Sequence, residues 1–277
     1  MNARRSLYLL LVYSTLLLAV MVILFPIFWM TSSSLKPANE LFARNLTLLP
    51  LDWTFANYRA VWQGTSFPLY FWNSFKVAAI STVLSMFIGA YAAYAIARIQ
   101  FVGRYSYGLV LLITQMFPHI LLVIPLYLLI QRVGLLNSHI ALVLAYTAFS
   151  LPFTIWLLRG FFEAIPAELE EAAEIDGASM LMTFHKIILP LAGPGLAAAA
   201  MFSFIRAWNE FLFALVFLSS RGLFTMPIGL ASFQEEYTFR WDLIMAGAGI
   251  ITLPILFLFL LMQRFIVQGL LAGAVKG

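Results

Sequence analysis

Six long apolar runs dominate the chain, separated by connections that are polar or charged. They cover approximately Leu7–Thr31, Phe71–Ala97, Tyr105–Ile130, Ile140–Phe162, Leu191–Leu218 and Leu243–Ile266. A helix needs about 20 mainly apolar residues to cross about 30 Å of hydrocarbon, and each run is long enough. A lone strand would leave its backbone groups unpaired in lipid, so each run predicts a helix. The expected architecture is all-α and polytopic, one transmembrane domain over residues 1–277 with about six spans. The first run follows Arg4 and Arg5 as a signal core would. It is longer than the 7–15 residues of such a core and reads as a retained span.

Composition sharpens this picture. The chain is 63% hydrophobic and 10% charged, with mean hydropathy +0.95. A soluble domain carries roughly 45–50% apolar and about 25% charged residues, so a soluble fold is excluded and lipid is the expected surroundings. Cysteine is absent, which removes disulfides, thiol nucleophiles and thiolate metal sites. The net charge of +4 is scattered between the apolar runs with no basic stripe, so no nucleic-acid partner is expected.

The basic residues instead set orientation. With the N-terminus inside, Arg4, Arg5, Arg98, Arg104, Arg159, Lys186, Arg264 and Lys276 face the cytoplasm. Lys36, Arg44, Arg59, Arg132, Arg221 and Arg240 face outward, three of them in the longest loop. The excess favours both termini in the cytoplasm.

Acidic residues follow a different pattern. Glu163, Glu168, Glu170, Glu171, Glu174 and Asp176 make up half of the 12 in the chain and crowd the connection 163–190 between spans four and five. Such a cluster reads either as a solvated helix face or as a docking surface. Pro166 suits a first helical turn, and the glutamates after it complement the helix dipole. Gly177 sits where a helix ends on a left-handed residue, and Pro190 stops a second short helix that begins near Ala178. The segment predicts helix, glycine turn, helix, held outside the membrane. Leu169, Ala172 and Ala173 are spaced to share one small-residue face of the first helix.

Glu171-Ala172-Ala173, three residues, Gly177, nine residues, then Ile187, one residue and Leu189-Pro190 is similar in full to the EAA signature of ABC-importer permeases. SSSLKP at Ser32–Pro37, ANYRAVW at Ala56–Trp62, YAIARIQFVG at Tyr94–Gly103, PLYLLI at Pro125–Ile130 and WNEFLFAL at Trp208–Leu215 resemble the carbohydrate-uptake branch. The terminal QGLLAGAVKG resembles that of the second, smaller permease subunit of maltose-type systems. The resemblance implies a type I importer permease fold in a bacterial or archaeal inner membrane, working on a di- or oligosaccharide. It also implies a heterodimer with a second permease, two ATPase subunits and an extracytoplasmic sugar-binding protein.

By the same resemblance, Glu171, Ala172, Ala173, Asp176, Gly177, Leu189 and Pro190 belong to a coupling helix that docks on an ATPase. Val275, Lys276 and Gly277 would reach between the ATPase subunits, whereas composition alone reads that end as a loose tail. No GxxxxGK[ST] occurs, so ATP and Mg are expected on the partner ATPase subunits, and this chain is expected to hold no cofactor and no catalytic or metal site.

Ionisable groups at membrane depth are functional candidates. Arg206, Asn209 and Glu210 in span five, with His119 beside Pro118 in span three, are candidates for the translocation path or the permease interface. Arg206 and Glu210 are four apart and could pair on one helix face. Gln234, Glu235, Glu236 and Tyr237 lie in the outer loop before span six. The resemblance gives that loop a role in dislodging sugar from the binding protein, and its aromatic residues equally fit an interfacial belt. The rival class is a stand-alone secondary transporter on an ion gradient. It predicts midplane acidic pairs or an inverted repeat, and Glu210 is the one acidic residue inside an expected span.

Overall fold

The structure, a computed structural model, describes residues 3–43, 45, 47–234 and 240–274. In chain order the helices are α1 (Ala3–Ser34), α2 (Ala56–Gly64), α3 (Phe67–Arg98), α4 (Arg104–Met116), α5 (Val123–Arg132) and α6 (His139–Ala164). They continue with α7 (Glu168–Ile175), α8 (Met180–Leu191), α9 (Gly193–Trp208), α10 (Leu212–Phe217), α11 (Met226–Ala231) and α12 (Trp241–Ala274). Among the described residues, α1, α3, α6 and α12 are each long and apolar enough to cross a bilayer unaided. Pro26, Pro152 and Pro254 lie inside α1, α6 and α12, as membrane helices tolerate when neighbours re-satisfy the freed carbonyls.

The third and fifth apolar runs are not single helices. Between α4 and α5 the chain bends by 91° at Phe117–Pro118 and passes through a tight turn, His119–Leu122. Proline at 118 lacks the N–H that would continue the ladder. The fifth run stops at Trp208 and resumes at Leu212 as α10. The 16 residues of α9 rise about 24 Å, short of the hydrocarbon thickness. A further bend of 78° separates α8 from α9.

The chain divides into two compact units. The first comprises the chain up to Pro68 together with Leu230–Leu253. Here the end of α1 is capped from a distance: the Asn57 amide donates to the carbonyls of Ser34 at 2.9 Å and Lys36 at 2.7 Å. The Ser34 carbonyl is one that the helix itself leaves unpaired, and Lys36 lies just beyond its end. Ser34 Oγ meets Tyr58 Oη at 2.8 Å. Lys36 is buried, donates to the Thr47 carbonyl and lies 5.2 Å over the Trp29 ring. Glu40 accepts from Thr47 Oγ1 at 2.6 Å and from the Leu51 amide at 3.1 Å. The Thr47 hydroxyl, followed by that amide, holds the Glu40 carboxyl below its ordinary range.

The second unit, Leu69–Gly229 with Pro254–Gly277, holds the connection 163–190 and the candidates His119, Arg206, Asn209 and Glu210. Its helices approach closely where side chains are small. A Cβ on Gly89 would stand 2.5 Å from the Thr154 methyl group, and one on Gly195 would collide with the Phe161 ring. At one end, Asn73 donates to the carbonyls of Gly222 and Phe224, and the Asn137 carboxamide accepts from the amides of Ser219 and Ser220. At the other end of the same helices, α3, α4, α6, α7 and α8 converge.

Candidate functional site

The connection 163–190 is built from two short helices around one turn. Glu168, Glu170 and Glu171 lie in the first turn of α7, where negative charge suits the dipole. The helix closes with paired reverse bonds: the Gly177 amide donates to Glu174 O at 2.9 Å and Ala178 to Ala173 O at 2.9 Å. This closure needs a left-handed residue, and Gly177 has φ +80°. Nothing approaches within 4 Å of where a Cβ on Gly177 would stand. Ser179 then caps α8, accepting from the Met182 amide at 3.3 Å. Within α8, Phe184–Ile188 widens into a π turn. Leu189 is half-buried, and Pro190 is exposed.

The expected shared face of Leu169, Ala172 and Ala173 does not form. Ala173 is turned inward and buried, whereas Leu169 and Ala172 are exposed. The outward apolar ridge runs instead through Leu169, Ala172 and Ile175, with Met180, Leu181 and Met182 also exposed on α8. Steps of three residues keep one helix face, and the inward partner of Ala173 is Glu170.

The acidic cluster also divides. Glu171, Glu168, Glu174 and Asp176 are exposed. Glu170 and Glu163 are bound internally. Glu170 pairs with Arg98 Nε and accepts from Tyr94 Oη at 2.9 Å. Glu163 takes Arg159 Nε at 2.8 Å and Arg104 Nη2 at 3.2 Å. Beneath them lies an aromatic core, with the Tyr94 ring 4.6 Å from Phe184 and 5.9 Å from Phe162. The sequence reading did not single out Arg98 or Glu170 as a pair, because they are far apart in the chain.

Within the apolar layer, the break between α9 and α10 opens a cavity of about 230 Å³ in which polar side chains are set in a mainly apolar wall. His119, Tyr146, Ser150, Arg206 and Glu210 line it, along with the Phe149 and Phe213 rings. Arg206 donates to Gln115 Oε1 at 3.2 Å and lies 3.4 Å from the ring nitrogens of His119. The His119 ring packs on Phe149 at 4.6 Å. The anticipated Arg206–Glu210 pairing is not made among the described ion pairs. The helix has ended at Trp208, so the spacing of four no longer puts the two on one face. Glu210 Oε1 accepts from the Phe213 amide at 2.8 Å, and Oε2 from the Ala214 amide at 3.1 Å and Tyr146 Oη at 2.5 Å. It caps α10. Asn209 is exposed at the break.

Gln234 is exposed. The candidates Glu235, Glu236 and Tyr237, and Val275, Lys276 and Gly277, lie outside the described residues. No group of three or more acidic, histidine or cysteine side chains able to hold a metal ion occurs among the described residues.

Comparison with known proteins fits this layout. The chain is 42% identical to the trehalose transport system permease SugB of Mycobacterium tuberculosis, over 100% of both chains. It is 39% identical to the trehalose/maltose permease MalG of Thermococcus litoralis, covering 97% of this chain and 96% of that one. The diacetylchitobiose permease DasC of Streptomyces coelicolor is 38% identical over 92% of each. A chain of a bacterial ABC transporter involved in alginate import shares the fold at 23% identity, with TM-score 0.83 over 96% of this chain and 99% of that one. Residues 85–271, which hold both the α7–α8 connection and the cavity, match the model of the binding-protein-dependent transport system inner membrane component, and the chain belongs to that family.

Proposed function

We propose that this chain is the transmembrane permease subunit of an ATP-driven importer of di- or oligosaccharides. The observation that carries the reading is the exposed α7–Gly177–α8 connection, whose apolar ridge and empty space beside Gly177 offer a surface to a second protein. The named cargoes of SugB, MalG and DasC supply the substrate class. A second permease chain, two ATPase subunits carrying ATP and Mg, and an external binding protein complete the machine. Closure of the ATPase pair displaces α7, and the spans switch between inward and outward opening. The Arg206–His119–Glu210 cavity lies on the path or against the second permease.

Affinity purification of the chain from its native membrane tests this. Recovery of an ATPase and a second permease is expected, with hydrolysis stimulated by one binding protein and its sugar. Recovery of the chain alone, with uptake driven by an ion gradient and indifferent to ATP, overturns the reading.

A further inference from the structure

If a partner displaces α7, that movement must reach the spans, and the backbone is a poor conductor of it. On one side α7 joins α6 through Ile165–Ala167, and on the other it joins α8 through the left-handed Gly177 and its neighbours. Each connection is short but able to turn. A helix of 8 residues hung between two such turns would swivel rather than push.

A set of charged contacts removes that freedom. Arg98 sits on the last turn of α3, with its side chain 16% exposed. Its Nε pairs with Glu170 Oε1, and its Nη2 donates to the Ile165 carbonyl at 2.8 Å. Ile165 follows the last turn of α6, so one guanidinium ties α3, α6 and α7 together. Tyr94, one turn earlier on α3, takes the second oxygen of Glu170 at 2.9 Å. Both carboxylate oxygens are therefore held by α3, and the Glu170 side chain is 20% exposed. A planar guanidinium bridging a carboxylate and a carbonyl fixes orientation as well as distance.

The start of α4 is fastened in the same way. Arg104 Nη2 donates to the Ala97 carbonyl at 3.0 Å and to Glu163 at 3.2 Å, and Glu163 also takes Arg159 at 2.8 Å. Phe184 belongs to the apolar core beneath, and Ala173 is buried on the same side of α7 as Glu170.

We infer that Arg98 and Glu170, with Tyr94, are positioning residues that make α7 a rigid extension of the α3 span, so that a displacement of α7 is delivered into the membrane as a movement of α3. The inference deepens the proposed function and rests on its reading of α7 as the ATPase-facing helix. It also separates the acidic residues by task. Glu170 faces the protein's own spans and is closed to a partner, while Glu168, Glu171, Glu174 and Asp176 remain outside.

The chain contains no cysteine, so a label pair can be placed without background. Spin labels on Glu174→Cys, on the flank of α7 beside its apolar ridge, and Ile99→Cys just after α3, both exposed positions, report the distance between the two elements. In the chain alone in lipid nanodiscs, a single narrow distance distribution is expected. Glu170→Gln and Arg98→Gln each leave a charged or polar partner unmatched and should broaden it about two-fold. In the complete complex, trapping the ATPase with vanadate should leave the wild-type distance unchanged. Glu170→Gln should keep ATPase capture and ATP hydrolysis within about two-fold, because its carboxylate does not face the partner, yet lose transport per ATP by about ten-fold.

A narrow distribution in both single variants, or a wild-type distance that shifts on trapping, overturns the inference. Failure of the wild-type chain to capture any ATPase would instead overturn the proposed function, and the nanodisc measurement would still decide whether the contact holds α7 to α3.

Discussion

Glu210 is an acid inside an apolar run, and its surroundings explain why it is tolerated there. Two backbone amides of α10 and the Tyr146 hydroxyl supply its donors, so the carboxylate replaces the intrahelical partners that the first turn lacks. Glu210→Ala removes all three contacts and should cost about 2–3 kcal/mol, whereas Tyr146→Phe should cost about 1 kcal/mol. Thermal unfolding in detergent reads both. Because Arg206 bonds Gln115 rather than Glu210 and the two share only the cavity wall, Arg206→Met and Glu210→Ala should couple by no more than about 1 kcal/mol. A strongly favourable coupling between the two would restore the ion pair that their spacing suggested.

Gly177 behaves differently. Its φ of +80° costs an L-residue about 1–2 kcal/mol, but no atom of the described residues lies within 4 Å of a Cβ there. Gly177→Ala should therefore insert and fold with a small loss of stability. Gly177→Leu should insert equally well and lose uptake, because the bulk would project into the space assigned to the partner. Membrane fractionation and transport assays separate the two effects.

At the scale of elements, the loop after α1 is a pH-sensitive brace. Glu40 joins Thr47 to Leu51, and its carboxyl is held below the ordinary value of 4.5 chiefly by the Thr47 hydroxyl. A depressed carboxyl contributes its stabilisation in full above the unfolded-state pKa and loses it as pH falls through the folded value. Titration of the Glu40 carboxyl by ¹³C NMR should give a midpoint below 4.5. Thr47→Val should move that midpoint upward, and exchange of the Leu51 amide should quicken once the carboxyl is protonated.

The helices themselves were unevenly legible. Gly177 could be recognised because a glycine after an acidic stretch is a local signal, whereas the second helix starts behind the Ser179 cap and not at Ala178. Pro118 lies inside the third apolar run, where membrane helices tolerate a proline, so it gave no sign of a bend as sharp as 91°. The gap between Trp208 and Leu212 has no proline or glycine to mark it. Hydropathy measures apolarity and is blind to a change of direction, so WNEFLFAL read as uninterrupted helix. The Arg98–Glu170 contact was out of reach for another reason. Spacing rules find partners within a turn or two, and here the partner lies across the unit on another helix.

For the molecule as a whole, the sites fall at two depths within the second unit: a cavity among the spans, and a clasped, outward-facing connection at one end. Composition placed the chain in lipid, and the EAA spacing marked the connection. What composition could not reveal was that the crowd of carboxylates serves two purposes, two of them holding helices together and four facing outward.

The capping of Glu210 carries a consequence for where the work of transport originates. A carrier powered by protons needs a carboxyl that can open to one side of the membrane, bind, and release on the other. The oxygens of Glu210 are instead committed to backbone amides and a tyrosine, as part of the skeleton of α10. An acid used as a structural rivet offers the membrane potential nothing to turn. Uptake should survive an ionophore that collapses the proton gradient, provided that internal ATP is maintained, and should stop when ATP is exhausted under an intact gradient. The spans would then be machinery driven entirely from the cytoplasmic end.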